Sequence, residues 1–237
     1  MEQVKIIDVY NSSERAVVFS ALMRKVYLWM TMGLAMTALT AAYAAGNPAI
    51  LQSISSSPTI YILLFAELGL VFYMSARIMS MSFASAGIIF AIYSILNGLT
   101  LSGWLAFYST QVITTTFFTT AGTFAAMSLT GFVSKRDLSA MGRFRIMALF
   151  GLIIATFVNM FVASSALYWG ITYFGVLLFC GLTAYDTQKI KNMMIQYGDD
   201  INEGTMKLAL LGSLTLYLDF VNLFLYLLRI FGGADRE

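Results

Sequence analysis

Apolar residues in this 237-residue chain gather into seven long runs separated by short polar breaks. Each run equals or approaches the roughly 20 residues that a helix needs to cross the hydrocarbon core of a bilayer. They lie near 26–45, 59–76, 83–107, 112–133, 146–165, 168–187 and 207–230. The breaks carry ordinary loop signals: Gly46-Asn47-Pro48 and the Ser-rich run Ser53 to Pro58, then Ser134 to Arg145, then Gln188 to Gly204 with Gly198-Asp199-Asp200. Tight turns near Ser109 and Ala166 separate the other spans. The pattern predicts an all-α polytopic membrane protein with a cytoplasmic segment over 1–25, a seven-helix transmembrane domain over 26–232 and a short tail over 233–237. The first span reads as a retained signal anchor. No fixed-period repeat stands out.

Composition removes most alternatives. Hydrophobic residues make up 59% and charged residues 11%, whereas a soluble domain carries about 25% charge. Histidine is absent, which excludes Ser-His or Cys-His nucleophile activation, His-based zinc chemistry and a histidine pH switch. The single Cys180 can form neither an internal disulfide nor a cysteine metal site. The expectation is a protein that is not an enzyme, holds no organic cofactor and binds no nucleic acid.

Placing the charges orients the chain. With the N-terminus inside, Lys5, Arg15, Arg24, Lys25, Arg77, Lys135, Arg136, Arg143, Arg145, Lys189, Lys191 and Lys207 face the cytoplasm, 12 of the 14 basic residues. Arg229 and Arg236 remain outside, and the loops around Pro48, Ser109 and Ser165 carry no charge. This positive-inside bias favours N in and C out. A six-span variant with a re-entrant last segment stays open. Trp104 and Trp169 suit the outer interface and Trp29 the inner one.

Five ionisable residues fall inside the spans or at their edges: Glu67, Arg77, Asp186, Asp219 and Arg229. A charge at the bilayer centre costs about 2.5–3.5 kcal/mol on insertion scales, so such residues usually face the bundle interior. Glu67 precedes Arg77, and Asp219 precedes Arg229, by ten residues each, about 15 Å of helix. If the second and seventh spans pack side by side, Glu67 meets Arg229 in the outer half and Arg77 meets Asp219 deeper in. Asp186, near the inner end of the sixth span, then approaches Asp219. Three carboxylates against two guanidiniums leave one carboxylate over, and two close carboxylates in low dielectric resist ionising together. The pair is expected to share a proton near neutral pH or to accept a divalent cation, and Ca²⁺ suits such oxygens. Asn97, Asn159 and Asn222 are further polar candidates for lining the same interior. The plainer alternatives stay open: a structural Glu67–Arg229 clasp, an Arg77 that snorkels to the interface, an Asp186 that caps its helix, asparagines that only join helices. The basic loop 134–145 reads as topology and headgroup contact, and Asp199, Asp200 and Glu203 as a solvated loop.

Two stretches resemble a known family. Gly181-Leu-Thr-Ala-Tyr-Asp-Thr-Gln-Lys-Ile-Lys191 and Leu216-Tyr-Leu-Asp-Phe-Val-Asn-Leu-Phe-Leu-Tyr-Leu-Leu-Arg-Ile-Phe-Gly232 resemble the C-terminal signatures of the Bax inhibitor-1 family, also called the transmembrane Bax inhibitor motif family. Glu67-Leu-Gly-Leu-Val with Ser75-Ala-Arg77 resembles its second span, and Tyr93-Ser94 with Gly98-Leu-Thr-Leu-Ser102 its third. The resemblance implies a last helix at the centre with six wrapped around it, and a pH-sensitive Ca²⁺ leak. It implies a di-aspartate sensor at Asp186 and Asp219, an arginine latch at Arg77 and an outer gate pair at Glu67 and Arg229. The hydrophilic insertion around Gly198 to Gly204 departs from the family pattern and bears on how the aspartates are gated. In this reading Ca²⁺ and protons are the partners, a bacterial cytoplasmic membrane is the expected location, and Asp186 with Asp219 is the candidate metal site.

The rival reading is a non-conducting regulator that binds another membrane protein, for which Gly33, Ala35, Ala38, Ala41 and Ala42 offer a face of small residues. An aspartyl intramembrane protease also uses two aspartates on adjacent spans, but the flanking motifs here do not resemble that family's. A proton-coupled transporter uses the same residue types.

Overall fold

The structure, a computed structural model, describes the backbone of residues 2–55, 57–134, 139–198 and 200–234. Side chains are described from residue 14 onward within these ranges, except at 55, 57, 139–141, 143 and 234. Lys5, Lys135, Arg136, Arg143, Asp199 and Arg236, counted above for orientation or loop chemistry, therefore lie outside the described side chains.

Every long element is helical: α1 (Glu2–Ala45), α2 (Pro48–Ser55), α3 (Ser57–Arg77), α4 (Phe83–Leu105), α5 (Thr110–Val133), α6 (Ser139–Val162), α7 (Ser165–Tyr197) and α8 (Glu203–Ala234), with a 3-10 turn at Ile78–Ser80. Seven helices are long and apolar enough to cross a membrane, over 14–45, 58–80, 83–105, 110–133, 144–162, 165–197 and 203–233. The chain is thus an all-α, multi-pass membrane protein, as the hydrophobic runs predict. α8 is the most buried span, with 67% of its most apolar stretch inside the protein against 44% or less elsewhere. It is one unbroken helix, which removes the re-entrant variant.

Three segments differ from the sequence reading. The Ser-rich break after the first span is largely α2, because Asn47 accepts the N–H groups of Ala49 and Ile50 and Pro48 fills the first helical position. The break expected over 188–204 is helical as far as Tyr197. The basic segment before the fifth span turns helical at Ser139, so Arg145 sits on α6. Polar residues end a membrane span without ending the helix that carries it. Side chains cap the helix starts: Ser82 and Ser109 accept from Ser85 and Val112 N–H at the starts of α4 and α5, and Asn202 and Thr205 bond reciprocally at the start of α8.

The chain divides into two compact units, Met1–Phe107 with Ile190–Tyr217, and Tyr108–Lys189 with Leu218–Glu237, so α7 and α8 each contribute to both. In the first unit α1 runs parallel to α4. Leu22, Val26, Met30, Gly33, Thr37, Ala41 and Ala44 recur every three or four positions and are buried. Gly33 lies against Phe90, and a Cβ on Gly98 would come within 2.6 Å of the Thr37 carbonyl oxygen, so the two backbones approach closely there. Of the small residues on α1, Gly33 and Ala41 belong to this packed face, while Ala35, Ala38 and Ala42 are exposed. Ala44, Ile54 and Leu63 join α1, α2 and α3 in a small apolar cluster with Leu96 and Leu99 of α4. At the start of α8, Glu203 accepts the Phe83 N–H and Lys207 donates to the carbonyls of Met79 and Met81. Glu203 thus stands at the first position of α8, exposed, and ties that end to the start of α4.

In the second unit Gly131 of α5 packs on α7, where a Cβ would fall 2.1 Å from the Ala184 carbonyl oxygen. Ser128 and Thr187 bond across the same crossing, and the Gln188 side chain donates to the Ser134 carbonyl. Phe220 of α8 lies edge-on to Phe117 and Phe124 of α5, and Tyr226 stacks on Phe179 of α7. α6 and α7 join through Ala163 and Ser164. Ala163 takes a left-handed φ of 49°, and the turn is held by Asn159, whose Oδ1 accepts the Ser164 N–H at 3.0 Å.

Candidate functional site

Asp186 of α7 and Asp219 of α8 both lie in the second unit and are 3% and 5% exposed. α7 places Asp186 in the turn that carries Tyr185 and Thr187, against α5 and α6. Arg145 of α6 donates from Nη1 to Asp186 Oδ1 at 2.8 Å, with its guanidinium 5.1 Å from the centre of the Tyr185 ring. Lys189, one turn along α7, adds a second positive charge acting on Asp186. Asp219 feels the like charge of Asp186 and the opposite charge of Arg145. One of its oxygens, Oδ2, is buried and has no hydrogen-bond partner among the described residues.

Such an arrangement is short of a donor at Asp219, among the described residues. A carboxylate oxygen buried without a donor costs about 1–3 kcal/mol or more, and a proton or a cation on the pair relieves that cost. Among the described residues no group of three or more acidic, cysteine or histidine side chains converges. A Ca²⁺ ion takes 6–8 oxygens, so an ion at this pair would complete its shell from carbonyls and water. Asn222, one turn after Asp219, donates its amide to the Leu218 carbonyl on its own helix.

A second buried carboxyl stands in the first unit. Glu67 of α3 is 8% exposed. Asn97 of α4 donates to its Oε2 at 3.2 Å and Thr100, one turn on, donates to its Oε1. Asn97 in turn accepts from the Tyr217 hydroxyl of α8 at 3.0 Å. Tyr217 is fully buried, edge-on to Phe90 and Tyr93, and its hydroxyl lies 2.7 Å from that of Thr37 on α1. Thr37 also reaches the Ser94 carbonyl at 2.9 Å.

The remaining candidates are placed as follows. Arg77 closes α3 in the first unit and is exposed; the guanidinium on Asp186 is that of Arg145. Arg229 of α8 lies over the rings of Tyr168 and Tyr226, at 5.9 and 5.1 Å from their centres, a favourable setting for a desolvated cation. Asn159, expected in the interior, is the cap of the α6–α7 turn. Sequence reasoning missed Arg145, Tyr217 and Thr37. Arg145 had a signal, since of the four cations in its basic segment it stands nearest the following apolar run. Thr37 had none, because single hydroxyls are common in spans.

The chain is similar to known proteins along most of its length. The family described as Inhibitor of apoptosis-promoting Bax1 matches residues 19–236. Inner membrane protein YbhL of Escherichia coli is 48% identical over 212 residues, covering 89% of this chain and 91% of that protein. An uncharacterized protein of Deinococcus radiodurans is 45% identical, covering 90% of each chain. Another from Borreliella burgdorferi is 40% identical over 98% of this chain and all of its own length.

Proposed function

The chain belongs to the Bax inhibitor-1 family, and from that premise we propose that it is a pH-sensitive Ca²⁺ leak of the bacterial inner membrane, gated by protonation of Asp186 and Asp219. The observation that carries the reading is the buried aspartate pair with a single bonded guanidinium and one carboxyl oxygen left without a partner.

The mechanism follows from charge balance. With one proton shared, the two aspartates carry one net negative charge, which Arg145 offsets, and the site has little attraction for a cation. Loss of that proton puts a second negative charge on the pair, set against Arg145 bonded to Asp186 and Lys189 acting on Asp186, and the added charge is least offset at Asp219. The carboxylates then repel each other and attract Ca²⁺ in place of the proton. The sign is explicit: flux rises as pH rises through the titration of the pair, and acid suppresses it by competition. Arg145 is the counter-charge that keeps the protonated state neutral.

Ca²⁺ flux into proteoliposomes, measured from about pH 6 to about pH 8, tests this. Wild-type flux that increases with pH, and loses that dependence in Asp186→Asn and Asp219→Asn, supports it. Arg145→Gln and Arg77→Gln separate the two arginines, because only the true counter-charge shifts the pH response. No flux at any pH from folded, inserted protein would sink the channel and leave a non-conducting regulator that binds another membrane protein.

A further inference from the structure

The hydrogen-bond chain in the first unit is short of protons. Three contacts, Asn97 Oδ1 to Tyr217, Tyr217 to Thr37 and Thr37 to the Ser94 carbonyl, are served by two hydroxyl groups. Each hydroxyl has one proton to donate. With the Tyr217 proton on Asn97, the Thr37 proton fills one of its two contacts and leaves the other without a donor. Asn97 cannot supply the missing one, because its amide faces Glu67.

One change fills every contact. A proton on Glu67 lets its carboxyl donate to Asn97 Oδ1 once the amide turns over, a rotation that preserves the shape of the side chain. The Asn97 amide then donates to Tyr217, Tyr217 to Thr37, and Thr37 to the Ser94 carbonyl. Four contacts hold four protons, and Thr100 continues to donate to the other Glu67 oxygen. We propose that Glu67 is a proton-binding site, and that its protonation reverses the hydrogen-bond chain Glu67–Asn97–Tyr217–Thr37, carrying the charge state of α3 to α8 and α1.

The surroundings fit a proton as the ligand. The groups facing Glu67 from α4 are the neutral Asn97 and Thr100. The titratable groups that sense its charge are two phenols, Tyr93 of α4 and Tyr217 of α8. The cation nearest the start of α8, Lys207, is committed to the Met79 and Met81 carbonyls and to Glu203. The inference does not depend on whether the chain conducts Ca²⁺. Asn97, Tyr217 and Thr37 act here as positioning residues, since only Glu67 takes the proton.

Infrared difference spectroscopy of the full chain in lipid, titrated from about pH 5 to about pH 9, reads this directly. The expected result is a carbonyl band of a protonated carboxyl that disappears as pH rises and is absent in Glu67→Gln, which separates it from the aspartates. Thr37→Val removes one hydrogen bond from the charged arrangement but two from the protonated one, where it also takes away the acceptor of the Tyr217 proton. In that variant the band should disappear at a pH lower by about one unit, a tenfold loss of proton affinity. Thr37→Ser, which restores the hydroxyl, should return it. Should Thr37→Val fail to fold, Thr37→Ala carries the same expectation. A spectrum with no Glu67-dependent band at any pH would overturn the proposal, and so would a band whose titration is identical in wild type and the Thr37 variants lacking the hydroxyl. A purely packing role for Thr37 would lower thermal stability and leave the titration unmoved.

Discussion

Glu67 and Asp219 are both buried carboxyls on membrane-spanning helices, yet their surroundings are opposite in kind. Both Glu67 oxygens accept hydrogen bonds from neutral side chains one turn apart on α4. Asp219 has a buried oxygen with no partner among the described residues, where the charges acting on it come from Asp186 and Arg145. A carboxyl satisfied by neutral donors sits in a fixed geometry, and protonation there reorders hydrogen bonds without displacing a counter-ion. In the proposed mechanism the aspartate pair is bistable, because proton, arginine and metal ion compete for the same oxygens. On that reading the first site transmits a change and the second changes its affinity for ions.

Substitutions break this comparison in a definite order. Asp219→Asn removes the charge that makes the second site respond, and should abolish the pH dependence of Ca²⁺ flux. Across the titration range that is a change of at least about tenfold, the factor set by about 1.4 kcal/mol at the site. Flux in proteoliposomes checks it. Gly131→Ala drives a Cβ into the Ala184 carbonyl on the helix that carries Asp186. It should cost about 1–3 kcal/mol or more, visible as a lower thermal midpoint in detergent. Gly98→Ala in the first unit meets the Thr37 carbonyl at a less severe 2.6 Å and should cost less in the same assay.

Arg145→Ala leaves buried Asp186 without its hydrogen-bonded cation, a loss of about 1–3 kcal/mol. It should also move the pH response of flux, where Arg145→Lys moves it less. Thr37→Val has the smallest effect on stability, about 0.5–1.5 kcal/mol for one hydrogen bond, and leaves the pH response of the aspartate pair unchanged.

How much of this was legible depended on what each residue costs in a membrane. The spans were legible because about 20 apolar residues in a row have few other uses. Their ends were not: Lys189 and Lys191 leave the apolar run, but nothing there stops a helix, and α7 continues to Tyr197. α2 was hidden because Asn47-Pro48 reads equally as a turn or as a cap followed by a first helical residue. The charged members of both sites were legible because an ion in a span is expensive. Arg145 was not, because a cation at the start of a span costs little and passes as a topology signal. Tyr217 and Thr37 are neutral, and only the packing of α1 and α4 against α8 gives their hydroxyls a meaning. Asn159 is a polar residue in an apolar run whose side chain caps a turn, a use that the run itself does not signal.

In the proposed mechanism the aspartate pair of α7 and α8 controls ion passage through its protonation. The most direct measurement is Ca²⁺ entry into proteoliposomes from about pH 6 to about pH 8, with wild type and Asp219→Asn reconstituted in parallel at matched orientation. The account predicts wild-type entry that rises with pH and variant entry that does not vary with it. Entry with the same pH profile in both proteins would contradict it.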